Sequence, residues 1–287
     1  MKVSSFPFGL MVEAARERGA AGLLEWLEFC GEHGLDGVEV GEDWLGELNW
    51  ADAVMFVDRV RAIPLEVSGM AVHNCMNCPP GQAREQAMRD IRQYVSMAQL
   101  LGAASIRIAS GAWDQYERCR MSRQQAIDNT VETIQCCLPV AAENGITLAI
   151  ENHPGWIARF ADALVEILER VSSDHLALNL DTGSMYREGQ RPRDFLSHDI
   201  VAKRTISLHL KSIRFEPNPE IGWWNSSVPF EQSDIDYRYI FSNLKKHGFD
   251  GWFSYESDES VGLQGIPPAA AFARQMWQEV DAEDGDS

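Results

Sequence analysis

The feature that most constrains this chain is a strict alternation of short apolar runs with longer amphipathic ones. The short runs lie at 2–8, 37–41, 65–72, 104–110, 146–151, 176–181, 205–210 and 251–256. Stretches with helical periodicity fall between and after them, at 20–33, 50–62, 81–101, 121–144, 160–171, 191–202, 235–247 and 268–280. Such alternation predicts parallel strands, because a parallel neighbour is reached only through a long crossover. Eight units in 287 residues predict an α/β chain closed into a (β/α)8 TIM barrel, a single domain over 1–287. The competing open sheet usually brings a G-x-G-x-x-G turn after its first strand, and "FPFGLMVEA" has none. No Pro/Gly/Ser-rich linker divides the chain. The segment 212–233 is longer than ordinary connections and is expected to be an irregular loop serving the site. The end, "EVDAEDGDS" at 279–287, is expected to be a disordered acidic tail.

The formal charge of −18, with no Lys/Arg cluster, argues against a nucleic-acid partner. No run approaches the roughly 18 apolar residues of a membrane span, so no membrane partner is expected. The start "MKVSSFPFGLM" does not read as a signal peptide, since Pro7 breaks it and charges follow. The six cysteines show no disulfide framework: Cys136 and Cys137 are adjacent in a helical stretch. Cys75 and Cys78 form a lone C-x-x-C with no second pair, which disfavours zinc. A reduced, cytoplasmic protein is expected.

Alternation within the strands assigns their faces. In "ITLAIE", Glu151 shares a face with Ala149 and Thr147; in "LALNLD", Asp181 goes with Asn179 and Ala177. In "TISLHL", His209 goes with Ser207 and Thr205; in "WFSYE", Glu256 goes with Ser254 and Trp252. The bulky faces must pack beneath the helices. The others point inward and present an ionisable group at the C-terminal end of each strand, where barrel active sites lie. Three carboxylates and one imidazole repel without compensation. A divalent cation resolves the conflict, and one nitrogen with several oxygens suits manganese, magnesium, cobalt or zinc. Glu151, Asp181, His209 and Glu256 are therefore the expected metal ligands. Glu39 and Arg107 also face inward and are expected to pair beneath the site.

The motifs "ITLAIENH", "LALNLDTG", "ISLHLKS" and "DYRYIFSNLKKHGFDGWFSYES" carry a resemblance. The chain resembles the sugar phosphate isomerases/epimerases, the xylose-isomerase-like TIM barrels. The resemblance implies one divalent ion, most often Mn2+, on Glu151, Asp181, His209 and Glu256, with Glu151 and Glu256 also moving protons. It implies an isomerase or epimerase acting on a sugar, polyol or keto-sugar by proton abstraction next to a carbonyl, through an enediolate. The same residues serve a lyase of the family, an inosose or dehydroshikimate dehydratase or a C-glycoside deglycosidase acting on 3-keto-glycosides. Ser184 and Phe215 stand where many epimerases carry His and Arg, which favours this second reading. A non-catalytic sugar-binding barrel is the remote third. His153 is a further acid/base candidate, and His73, Lys211, Arg214, Trp223 and Trp224 are candidate contacts for a carbohydrate-like substrate. The loop tryptophans equally suit a surface for a second copy or a partner subunit.

Overall fold

The computed structural model describes residues 1–111, 120–218, 222–256 and 261–284, the side chains of 217, 218, 222–227 and 281–284 excepted. Eight parallel strands follow the expected alternation: β1 (Lys2–Ser5), β2 (Gly37–Gly41), β3 (Glu66–Ala71), β4 (Ser105–Ile108), β5 (Thr147–Glu151), β6 (Leu176–Asp181), β7 (Thr205–Leu210) and, after an added hairpin, β10 (Trp252–Tyr255). They neighbour one another in the order β2, β3, β4, β5, β6, β7, β10, β1. Between β1 and β2 a hinge of hydrogen bonds replaces a strand ladder. Asp36 N–H donates to Val3 O at 2.9 Å, and the Asp36 carboxylate accepts from Val3 N–H at 2.8 Å. Arg274, on the last helix Ile266–Asp284, reaches Asp36 at 3.2 Å and the Gly34 carbonyl at 2.7 Å. The barrel is thus nearly closed, and the C-terminal helix clamps its seam.

The bulky faces lie beneath the helices as the alternation predicts. Val38, Val40, Ile106, Ile108, Leu148, Ile150, Leu178, Leu180, Leu208, Leu210 and Phe253 are all fully buried. At about 1.5–3 kcal/mol for each buried side chain of this kind, this layer is a principal source of stability. Their strand neighbours turn inward. Register then sets heights inside the barrel: Glu151 pairs with Asn179, Asp181 with His209, and His209 with Ser254.

Several local expectations are corrected. The first strand stops at Ser5, because Pro7 opens a helix, Phe8–Arg18, that Gly19 at φ 58° then breaks. The stretch 191–202 is two short helices, Pro192–Leu196 and Asp199–Arg204. The segment after β7 is not irregular: it folds as an antiparallel hairpin, β8 (Ile213–Asn218) with β9 (Gly222–Ser227). The supposed disordered tail begins inside the last helix, which runs to Asp284, and Glu279 is held by Arg238 at 3.0 Å. Residues 285–287 of that tail lie outside the described residues.

Candidate metal centre

Four strand ends bring Glu151, Asp181, His209 and Glu256 together, with ligand atoms all within 4.8 Å of one another. Glu151, Asp181 and His209 are fully buried, and the Glu256 side chain is 19% exposed, toward the mouth. Each is held by groups fixed in the fold. Asp181 caps the short helix Thr182–Arg187, its Oδ1 accepting Ser184 N–H at 2.8 Å. Asn152 clamps the Asp181 backbone from both sides: its Oδ1 accepts Asp181 N–H at 2.7 Å and its Nδ2 donates to Asp181 O at 2.9 Å. The polar residue after Glu151 therefore serves the next strand. Thr182 Oγ1 donates to the carbonyl of His209 at 2.9 Å, fixing the backbone that carries the imidazole.

His209 carries the strongest geometric signal. Its Nε2–H donates to Glu39 Oε2 at 2.8 Å, and Ser254 Oγ donates to the same oxygen at 2.9 Å. That bond leaves the lone pair on Nδ1. Nδ1 lies 3.1 Å from Glu151 Oε1 and 3.0 Å from Glu256 Oε2. Neither His209 Nδ1 nor Glu256 Oε2, both buried atoms, has a hydrogen-bond partner among the described residues. A lone pair facing two carboxylate oxygens requires a cation between them, so the donor set fits a divalent ion. A carboxylate on the far nitrogen is also the usual orienting partner of a metal-binding histidine. Without a metal a proton takes the place. Burial pushes the imidazole pKa down, yet Glu39, Glu151 and Glu256 together hold it well above its ordinary value.

Two cations balance the remaining carboxylates. Arg107, on β4, donates from Nη1 to Glu151 Oε2 at 2.5 Å, while Asn179 Nδ2 donates to Oε1 at 3.3 Å. Lys211 Nζ lies 2.9 Å from both Asp181 Oδ2 and Glu256 Oε1. Burial favours protonation of all three acids. The ion pairs win: Arg107 and His209 hold Glu151 well below the usual carboxylate range, Lys211 and His209 do the same for Glu256, and chiefly Lys211 lowers Asp181. Gly183 makes room for Lys211, since a Cβ there would stand 2.7 Å from Lys211 Cδ. Counting each carboxylate as ionised and His209 as neutral, Glu39, Glu151, Asp181 and Glu256 against Arg107 and Lys211 leave two negative charges. One divalent ion neutralises them.

Not every expected residue joins this cluster. Strand β5 ends at Glu151, so His153 does not continue its face; the ring lies 4.3 Å from that of Trp156 and Nδ1 bonds the Pro154 carbonyl at 2.8 Å. His73 is half exposed at the rim, with Nδ1 2.8 Å from Asp43 Oδ2 and its ring edge-on to Phe8. Arg214 turns outward on β8 to Glu216 at 3.4 Å. Trp223 and Trp224 belong to β9, and their side chains lie outside the described residues. Arg107 and Glu39 do meet inside the barrel, at 4.0 Å, and each also has a nearer partner, Glu151 and His209 respectively. The sequence reading thus missed Glu39 as the support of His209. The only available signal was an acid on an inward face. Register shifts interrupt the ladders at Val38/Glu39 and Leu178/Asn179. Such irregularities re-aim side chains, and both positions here carry site residues.

Comparison with known proteins places the barrel. The chain is 24% identical over 152 residues to an inosose dehydratase of Geobacillus thermodenitrificans (strain NG80-2), a match covering 49% of this chain and 50% of that protein. The chain therefore spans about half the length of the curated relatives it matches. Its fold superposes on an L-ribulose 3-epimerase with a TM-score of 0.75 at 16% identity, covering 99% of this chain and 97% of the other. It superposes equally completely on the IOLI protein with a binding zinc atom, at a TM-score of 0.72 and 16% identity, again covering 99% and 97%. At such identities the likeness is one of fold. The model of the xylose isomerase-like TIM barrel family matches residues 27–278. That match takes in seven of the eight barrel strands and all four strand ends that carry the cluster, and the chain belongs to this family.

Proposed function

We propose that this protein is a divalent-metal-dependent isomerase or epimerase of a sugar, polyol or keto-sugar, working in the cytoplasm by proton transfer next to a carbonyl. The observation that carries the reading is the unpartnered, buried His209 Nδ1 aimed at Glu151 and Glu256. Glu151, Asp181, His209 and Glu256 are the residues to hold the ion, and manganese, magnesium, cobalt or zinc suits their oxygen-rich set. Bound there, the ion supplies an electrophile for a substrate carbonyl oxygen.

The chain's own residues do the rest. One of Glu151 and Glu256 takes the proton beside the carbonyl, and the other returns it. Both are held ionised, so each is free to accept a proton. Lys211 Nζ lies 2.9 Å from both Glu256 and Asp181. Burial favours its loss of charge, but Asp181 and Glu256 raise its pKa, so it remains a cation. It steadies negative charge developing on oxygen and keeps Glu256 ready as an acceptor. Arg107 does the same for Glu151 from below.

A lyase outcome is the second reading, supported by the inosose dehydratase relative. The same proton abstraction followed by expulsion of a β-hydroxyl gives a dehydratase. The deciding test is incubation of the manganese-loaded protein with keto-sugars, inososes and 3-keto-glycosides in heavy water, read by NMR. Deuterium appearing beside the carbonyl with rearranged product supports isomerisation; loss of water or aglycone supports the lyase. No exchange into any carbonyl compound would sink both.

A further inference from the structure

The C-x-x-C of the β3 loop takes no part in the site just described, and it is more than a sequence coincidence. The turn Cys75–Met76–Asn77–Cys78 brings the two sulfurs to 3.0 Å, a thiol–thiol contact. A disulfide needs them only about 1 Å closer. Cys75 is part-exposed and Cys78 is buried at 8% exposure. Cys75 Sγ also donates to Asn77 Oδ1 at 3.0 Å. Beyond the turn, Arg84 Nε donates to the Cys78 carbonyl at 3.0 Å, and its other nitrogens are pinned by Glu132 at 2.6 Å and Asn129 at 2.7 Å. The guanidinium is therefore fixed beside the pair.

We propose that Cys75 and Cys78 are a reversible dithiol, oxidised by a peroxide to an intramolecular disulfide at the mouth of the barrel. The Cys78 thiolate attacks one peroxide oxygen and breaks the O–O bond; a sulfenic acid forms and one water leaves once the departing hydroxide is protonated. The Cys75 sulfur then attacks the sulfenic sulfur, breaks the S–O bond and releases the second water. Two thiol protons and two electrons pass to the peroxide, which is reduced to two waters. Cys75 and the Arg84 charge against burial bring the Cys78 thiol down to about 7, whereas burial pushes Cys30 and Cys137 up to about 12. The same chain thus separates a reactive pair from inert core thiols.

Closure acts on the loops that frame the site. It takes Cys75 Sγ from Asn77, whose side chain lies so close to Gly111, at φ 103°, that a Cβ there would run into it. The neighbouring Asn74 Oδ1 accepts Ala109 N–H at 2.9 Å, just past β4. The turn after β3 is therefore tied to Ala109 and Gly111 at the end of β4.

The test treats the full chain with a stoichiometric excess of hydrogen peroxide, blocks residual thiols, and maps peptides by mass spectrometry. The peptide containing Cys75 and Cys78 should lose the mass of two hydrogens, regain it with dithiothreitol, and show no such loss in Cys75→Ser. In Cys75→Ser the sulfenic acid should persist on Cys78 and be trapped by dimedone. Exclusive oxygen addition to either cysteine in wild type, a bridge to a different cysteine, or no reaction while exposed Cys136 oxidises, each overturns the proposal. None of these readouts depends on the metal site or its activity.

Discussion

Replacing Glu39 by Gln tests whether the fold arms His209 as a ligand. Glu39 Oε2 accepts His209 Nε2–H at 2.8 Å and Ser254 Oγ–H at 2.9 Å. Gln keeps the shape, and its carbonyl still accepts one of these bonds. What it loses is charge: a charge-assisted hydrogen bond becomes a neutral one of roughly half the strength, and the imidazole becomes a weaker donor to metal. The buried cluster also falls from two negative charges to one, so a bound divalent ion is no longer neutralised. Removing an orienting partner of this kind costs roughly 10- to 100-fold in metal affinity, or about 1.4 to 2.8 kcal/mol at about 1.4 per tenfold. Isothermal titration of manganese into metal-free wild type and E39Q should give one site in each, with the variant's Kd raised by that factor. Circular dichroism and thermal melting should show the same fold. Saturating manganese should restore most turnover, because Glu39 touches no substrate. A variant that folds and binds manganese with the wild-type Kd refutes the role given to Glu39.

Glu151→Gln and Glu256→Gln should each cut kcat by about 100- to 10,000-fold with the fold intact; full activity in both, with metal bound, moves the proton transfer elsewhere, first to His153. His209→Asn should act through metal affinity, and excess manganese should return part of the activity in a steady-state assay. Because the metal-free His209 pKa is raised, a proton competes with the ion: affinity should rise about tenfold per pH unit up to that pKa and then level, with one proton released per metal. Calorimetry in buffers of different ionisation enthalpy counts that proton, and a pH-independent Kd between about pH 6 and 8 would contradict the competition. Lys211→Met should leave manganese bound at least as tightly, since it removes a positive charge beside Asp181 and Glu256, while lowering kcat; weakened binding would make Lys211 structural. Asp36→Ala strips the buried Val3 N–H of its carboxylate and unclamps Arg274, which should cost about 1–3 kcal/mol and roughly 2–4 °C in Tm per kcal/mol.

The barrel was legible because its strands repeat one rule: bulky residues under the helices, small or polar ones inward. Leu148 and Ile150 against Ala149 and Glu151 illustrate it, and Leu208 and Leu210 against His209 repeat it. The clustering of Glu151, Asp181, His209 and Glu256 followed, since parity and strand end together specify where a side chain points. Parity fails where a strand ends. His153 has the parity of Glu151, but β5 stops at Glu151 and the chain turns through Pro154 to bring His153 against Trp156. Arg214 lies away from the cluster for a related reason: the hairpin after β7 has its own pleat, and there the side chain meets Glu216. The hairpin itself was hidden by Pro217 and by turn-like polar residues in "EPNPEIG".

The partners of the clustered side chains were hidden for a different reason. Glu39 and His209 are 170 residues apart, and only closure of the barrel brings β2 opposite β7. A local pattern can place Glu39, Arg107 and Lys211 inside; it cannot say which acid each will meet. Arg107 and Glu39 pair as expected, at 4.0 Å, but Arg107 lies closer to Glu151, which leaves Glu39 Oε2 for the imidazole. That exchange has a consequence for the chemistry. Had Arg107 been spent on Glu39, Glu151 would face His209 and Glu256 without its cation, and burial would favour its protonated form. As built, Arg107 and Lys211 each keep one of these two carboxylates ionised, and Glu39 holds the imidazole with Nδ1 toward Glu151 and Glu256. A third cation in the same space would lower the net charge to one and weaken a divalent ion's hold; one cation fewer would leave an acid to be protonated in its place. On the proposed function, a balance of four carboxylates against two cations would both retain a divalent ion and leave two bases able to work.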